Sequence, residues 1–185
     1  ERERTMSRLP LIDPKKATGE AKELLDAAQA SMGRVPNILK AMANSPTALE
    51  AYMELSRVIK GGTFSPALRE CLALAIAEQN DCDYCLAAHT AIGKMAGLTP
   101  EQMEACRRGH ADDPRTAAAI TFCKRVLETN GFVTEADMTA ARAGGFSDGE
   151  IAEMVAVVAL NVYTNLFNHV ADTEVDFPAA PKLGD

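Results

Sequence analysis

The chain has 185 residues, 47% of them hydrophobic and 24% charged, and at that size roughly 70% of the unfolded surface can be buried, so a core forms without a disulfide or metal staple. A net charge of -7 excludes nucleic acid as a partner, because phosphate recognition needs clustered Lys and Arg. No apolar run approaches the roughly 20 residues of a membrane span and no secretory apolar segment opens the chain, so a cytoplasmic protein with no membrane role is expected.

Glu1-Arg2-Glu3-Arg4-Thr5 precede Met6, which reads as closer to the natural start, and residues 1–15 read as an N-terminal arm. Helices are expected near 14–31, 36–44 and 46–60. Ser65-Pro66 places a capping oxygen before a proline whose fixed φ suits the first helical position, and predicts a helix over 66–79. Leu68, Cys71, Leu72, Leu74 and Ile76 make that helix apolar nearly all round, the mark of burial in a bundle or a subunit interface. Asp81 is the expected N-cap of a helix over 82–96, ended by Gly97. Thr99-Pro100 and Asp113-Pro114 open helices over 100–108 and 114–129, with Gly109 and Gly131 as left-handed caps. Thr134 opens 135–143, and Ser147 opens 148–160 in a capping box with Glu150. A last helix is read over 161–173.

Apolar residues from Asp176 onward form a second arm, giving a domain over 16–175 flanked by arms 1–15 and 176–185. Apolar arms of this sort often pack on a neighbouring subunit. Nowhere does alternation with β-branched enrichment appear, so the fold is all-α. Glu70, Leu86 and His89 recur at a spacing of eighty residues as Glu150, Leu166 and His169, as an old duplication would leave them.

Five cysteines, an odd number, do not make a secreted disulfide framework. Cys71, Cys106 and Cys123 lie singly in helical patterns and read as small core hydrophobes. Cys82 and Cys85 instead share one helix face with His89, at steps of three and then four. A helix start favours the thiolate, and Cα atoms three apart lie roughly 5 Å from each other, within disulfide range. His89, one turn beyond Cys85, is placed to take a proton. On residues alone a redox dithiol competes with half a zinc site, whose further ligands (Glu70, His169, Cys71) are scattered, and with plain core cysteines beside a satisfied histidine. A thioredoxin fold lacks its βαβ pattern here. His110, after Arg107-Arg108-Gly109, reads as an exposed cation at a helix C-terminus.

The spacing Glu70-x11-Cys82-x2-Cys85-x3-His89, with Leu-Ala-Ile-Ala-Glu-Gln-Asn before the first cysteine and Ala-Ala-His after the second, resembles the AhpD-like alkylhydroperoxidase group of the carboxymuconolactone decarboxylase superfamily. The match covers residues 65–98, and segment 168–174 is similar to the longer peroxidase-related branch. The resemblance implies an AhpD-like helical bundle assembled as a trimer or hexamer. It implies a thiol peroxidase in which Cys85 attacks the hydroperoxide, Cys82 resolves, and His89 and Glu70 relay protons. An external dithiol or protein reductant would restore the thiols, with no cofactor beyond the Cys82–Cys85 disulfide. The group's best-studied branch carries a histidine where Tyr84 stands, which makes Tyr84, together with His169, a possible pocket residue. Two alternatives are a decarboxylase-type lyase, whose members generally lack both cysteines, and a non-catalytic redox-sensing oligomer.

Overall fold

The computed structural model describes residues 7–184, so Met6 and the start of the expected N-terminal arm lie outside the described residues. Among the described residues there are nine helices and no strand: α1 Gly19–Met32, α2 Asn37–Met42, α3 Pro46–Lys60, α4 Pro66–Gln79, α5 Asp83–Met95, α6 Pro100–Arg107, α7 Pro114–Glu128, α8 Glu135–Ala143 and α9 Asp148–Ala171.

Local chemistry sets most of the boundaries. Ser65, Thr99, Asp113, Thr134 and Ser147 each accept a hydrogen bond from the backbone N–H of the third residue of the helix they open, a cap worth ~1 kcal/mol. Proline occupies the first turn of α3, α4, α6 and α7, where no amide hydrogen is needed.

α4 is the axis of the bundle, packed on α5, α6, α7 and α9, with Cys71 through Ala77 all buried. Its all-round apolarity is therefore satisfied within one chain and requires no subunit interface.

The turn from α4 to α5 departs from expectation in one respect. Asp81 does not cap α5; it lies in the left-handed region at φ 52. The Asp81 amide bonds Glu78 O and the Cys82 amide bonds Ala77 O, the paired bonds of a Schellman turn with Asp81 in the usual glycine place. Asp81 thus ends α4, and the cap of α5 falls to Cys82, whose Sγ accepts from the Cys85 amide at 3.3 Å.

α9 corrects two further expectations. Segments 148–160 and 161–173 form one helix of 24 residues, since neither Gly, Pro nor a capping turn interrupts Leu160-Asn161. By length and composition this helix is apolar enough to cross a membrane, yet it packs on α3, α4, α5 and α7 with Asn161, Thr164, Asn165 and Asn168 turned inward. It is a bundle helix. The eighty-residue echo has no structural counterpart either: α4 and α5 are two helices, whereas Glu150 and His169 lie at opposite ends of α9. Glu150 there closes the capping box and pairs with Arg115.

Both arms, where described, return to their own chain. The Arg8 amide bonds Ala171 O at 2.6 Å, and the Ile12 amide bonds Lys40 O at 3.1 Å. At the other end Arg107 Nη1 donates to Pro181 O at 2.6 Å.

Candidate active site

Cys82 caps α5 and Cys85 lies in its first turn, the two joined as a disulfide with Cα atoms 5.2 Å apart. Their surroundings differ. Cys85 forms part of the wall of a cavity of about 380 Å³, together with His89 one turn along and Ile92 beyond. Cys82 is 1% exposed and does not line that cavity. Asn168, reaching in from α9, donates its Nδ2 hydrogen to Cys85 Sγ at 3.3 Å. Its Oδ1 is buried without a partner among the described residues.

α4 supplies the group behind the histidine. Glu70 Oε2 lies 2.7 Å from His89 Nδ1, and both side chains are mostly buried. A carboxylate there accepts the Nδ1 hydrogen and leaves Nε2 as the basic nitrogen of the ring. Ile38, Leu39, Tyr52 and Phe177 give the cavity apolar walls, while Lys60 and Arg34 are the cations on it.

Tyr84 holds the chain's tail. Its hydroxyl donates to Asp176 Oδ1 at 2.7 Å and accepts from the Ile38 amide at 3.2 Å. Burial first, and then the Asp176 carboxylate, push its pKa well above the usual phenol value, so it remains a neutral donor. Asp176 also receives the Asn37 amide at 3.1 Å and the Arg34 guanidinium. Phe177 stacks edge-on against Tyr84 with centroids 5.7 Å apart, under Arg34 at 4.5 Å.

Residues 46–129, from α3 to the end of α7, match the carboxymuconolactone decarboxylase family and contain Glu70, both cysteines and His89. An AhpD-core, peroxidase-related protein from Ralstonia eutropha superposes with a TM-score of 0.83 at 23% identity, covering 94% of each chain. A peroxidase-related protein from a Silicibacter species gives 0.79 at 24% identity, again over 94% of each. The whole chain thus shares the AhpD-like fold, and its segment 46–129 is similar to the carboxymuconolactone decarboxylase family. The debrominase Bmp8, bound to 2,3,4-tribromopyrrole, shares the AhpD-like fold with a TM-score of 0.77 at 15% identity, over 94% of this chain and 93% of that one. Comparison with curated proteins finds no significant match.

Within this AhpD-like frame, Cys85, His89 and Tyr84 line one cavity, with Glu70 bonded behind the histidine and Cys82 bonded behind Cys85. His169 is not part of that cavity; it is exposed, its Nε2 3.3 Å from Asp81 O. His110 is exposed just past α6. Sequence reasoning passed over Asn168, Asp176, Phe177 and Arg34. Asn168 opens the very segment that resembled the peroxidase-related branch, and that was the one available signal.

Proposed function

We propose that the chain reduces organic hydroperoxides in a two-thiol cycle, with Cys85 attacking and Cys82 resolving. What carries this reading is the asymmetry of the pair: one sulfur lies on a cavity wall with a Glu70-bonded histidine, and the other is sealed beneath it. In the reduced chain His89 takes the Cys85 proton. The helix start and the Asn168 donor favour the resulting thiolate.

The thiolate attacks the terminal peroxide oxygen and the O–O bond breaks. The departing alkoxide regains a proton from His89 and leaves as the alcohol, with Cys85 as the sulfenic acid. The Cys82 sulfur then attacks Cys85, and hydroxide leaves with the Cys82 proton as water, closing the disulfide. A cytoplasmic dithiol, entering through the cavity, takes up both sulfur oxidations by exchange and returns two thiols. The cycle is assigned to a homo-oligomer, trimer or hexamer, that buries the outer face of α9, where Val155, Leu166 and Val170 are exposed.

Dithiothreitol-dependent consumption of cumene hydroperoxide tests the reading. Wild-type turnover that is lost in Cys85→Ser supports it; turnover indifferent to that change refutes it. A second reading is reductive debromination, favoured by the apolar cavity walls around a thiol. There two thiols would convert a bromoarene to the arene, hydrogen bromide and the disulfide, and bromide release from 2,3,4-tribromopyrrole distinguishes it. The lyase reading is weaker, because Arg34, one of two cations at the cavity, is engaged by Asp176.

A further inference from the structure

α9 turns four polar side chains into the bundle: Asn161, Thr164, Asn165 and Asn168. Three of them serve the framework. Asn161 Nδ2 donates to Val157 O at 2.8 Å, Thr164 Oγ1 donates to Asn161 O at 2.9 Å, and Asn165 Oδ1 accepts from Asn80 Nδ2 at 2.8 Å. Asn168 differs, because its Nδ2 meets a disulfide sulfur, Cys85 Sγ, at 3.3 Å. Asn168 is 5% exposed and Cys85 3%, and the Oδ1 of the same carboxamide is buried without a partner among the described residues.

We infer that Asn168 sets the redox poise of the Cys82–Cys85 pair, stabilising the dithiol against the disulfide so that an external thiol reduces it readily. A disulfide sulfur is only a weak acceptor and has no hydrogen to give, so in the oxidised chain Nδ2 makes a weak bond and Oδ1 makes none. Reduction supplies what both ends lack. A Cys85 thiolate takes a charge-assisted bond from Nδ2, shorter and stronger than one to a neutral sulfur. A Cys85 thiol instead carries an S–H, and Oδ1, on the same carbon as Nδ2, is the acceptor beside it. Whichever protonation state Cys85 adopts, the carboxamide offers the complementary group. Burial enlarges the difference, since a low-dielectric site strengthens the bonds that are made and penalises those that are not.

The exchange balances with one external thiol pair. Two electrons and two protons pass from that pair to the Cys82–Cys85 bond, which opens to two thiols while the donor closes its own disulfide. A disulfide whose reduced form is stabilised is the more oxidising one, so Asn168 makes reduction of the pair more favourable. The inference rests on the Cys82–Cys85 dithiol cycle proposed above, but not on what oxidises it.

The test equilibrates the full chain in glutathione buffers of graded ratio, without hydroperoxide. After acid quenching and alkylation, mass spectrometry reads the fraction of Cys82 and Cys85 held in the disulfide. Asn168→Leu, close in size and without either polar end, should favour the disulfide on the order of tenfold, which lowers the potential by about 30 mV. Asn168→Asp keeps the size and sets a carboxylate against the thiolate, so it should shift the same way and further. Asn161→Leu removes an inward carboxamide two turns earlier on the same helix and should leave the potential unchanged. An unshifted or raised potential in the two Asn168 variants overturns the inference, and so does an equal shift in Asn161→Leu. A shifted potential in a chain that consumes no hydroperoxide upholds the inference and defeats the peroxidase reading; consumption with an unshifted potential does the reverse.

Discussion

Tyr84 sits between the two cysteines in sequence, but its hydroxyl serves the tail, bonded to Asp176 Oδ1 at 2.7 Å and to the Ile38 amide at 3.2 Å. Replacing it by Phe leaves a buried amide without its acceptor, which costs about 1–3 kcal/mol. Tyr84→Phe should therefore lower the urea midpoint, while the Cys82–Cys85 pair still forms its disulfide; an unchanged midpoint contradicts this account. At the cysteines, Cys82→Ser should accumulate a Cys85 sulfenic acid under stoichiometric peroxide, and Cys85→Ser should lose nearly all peroxide reactivity. The helix-end effect favours Cys82 by ~0.3–1 kcal/mol, whereas a general base typically contributes ~10²–10⁴-fold, so the base decides in favour of Cys85. Oxidation appearing first on Cys82 by mass spectrometry, and persisting there when Cys85 is serine, reverses the roles. His89→Ala should slow hydroperoxide turnover by ~10²-fold or more, with Glu70→Gln losing less, because Glu70 acts only through the ring it orients.

Helix caps also set a pH response. The Asp137 carboxylate is held below its usual range by the Thr134 amide and hydroxyl, and the Glu150 carboxylate by the Ser147 amide and hydroxyl, with Arg115 adding to the latter. A carboxylate whose folded pKa lies below its unfolded value contributes stability that is present above the unfolded value and lost as pH falls through the folded one. Thermal stability should therefore decline as pH falls below about 4, the ordinary carboxylate range. Asp137→Asn and Glu150→Gln should flatten that decline, and a slope identical to wild type would rule out the caps as its source. The same local bonds explain which boundaries were legible. Proline and capping oxygens announced the starts of α4, α6, α7 and α9. Asp81 misled because Asp serves equally as an N-cap and as a residue tolerated at positive φ, and here the end of α4 claimed it.

Across the whole molecule the tail helps to wall the candidate-site cavity: Asp176 is anchored on Arg34 and Tyr84, and Phe177 forms part of the lining. Phe177→Ala should widen that cavity, lowering KM for bulky hydroperoxides more than for hydrogen peroxide; a uniform change in both would assign Phe177 a packing role alone. Assembly is a separate matter, since α4 is buried within its own chain and the proposed oligomer would bury the exposed stripe on α9. Light scattering should report a trimer or hexamer, and Leu166→Glu should shift it toward monomer.

The sequence by itself determined the helical class, most caps, and the placement of Cys82, Cys85 and His89 on one face, because each depends on bonds and spacings within about four residues. Only the tertiary structure decided which sulfur meets the cavity, that Asn168 touches Cys85 across 83 residues of chain, and that Tyr84 binds Asp176 across 92. It also made 148–171 a single helix and buried α4 without a partner subunit. These features follow from how helices pack, and a side chain's long-range neighbour leaves no periodic trace in the residues around it.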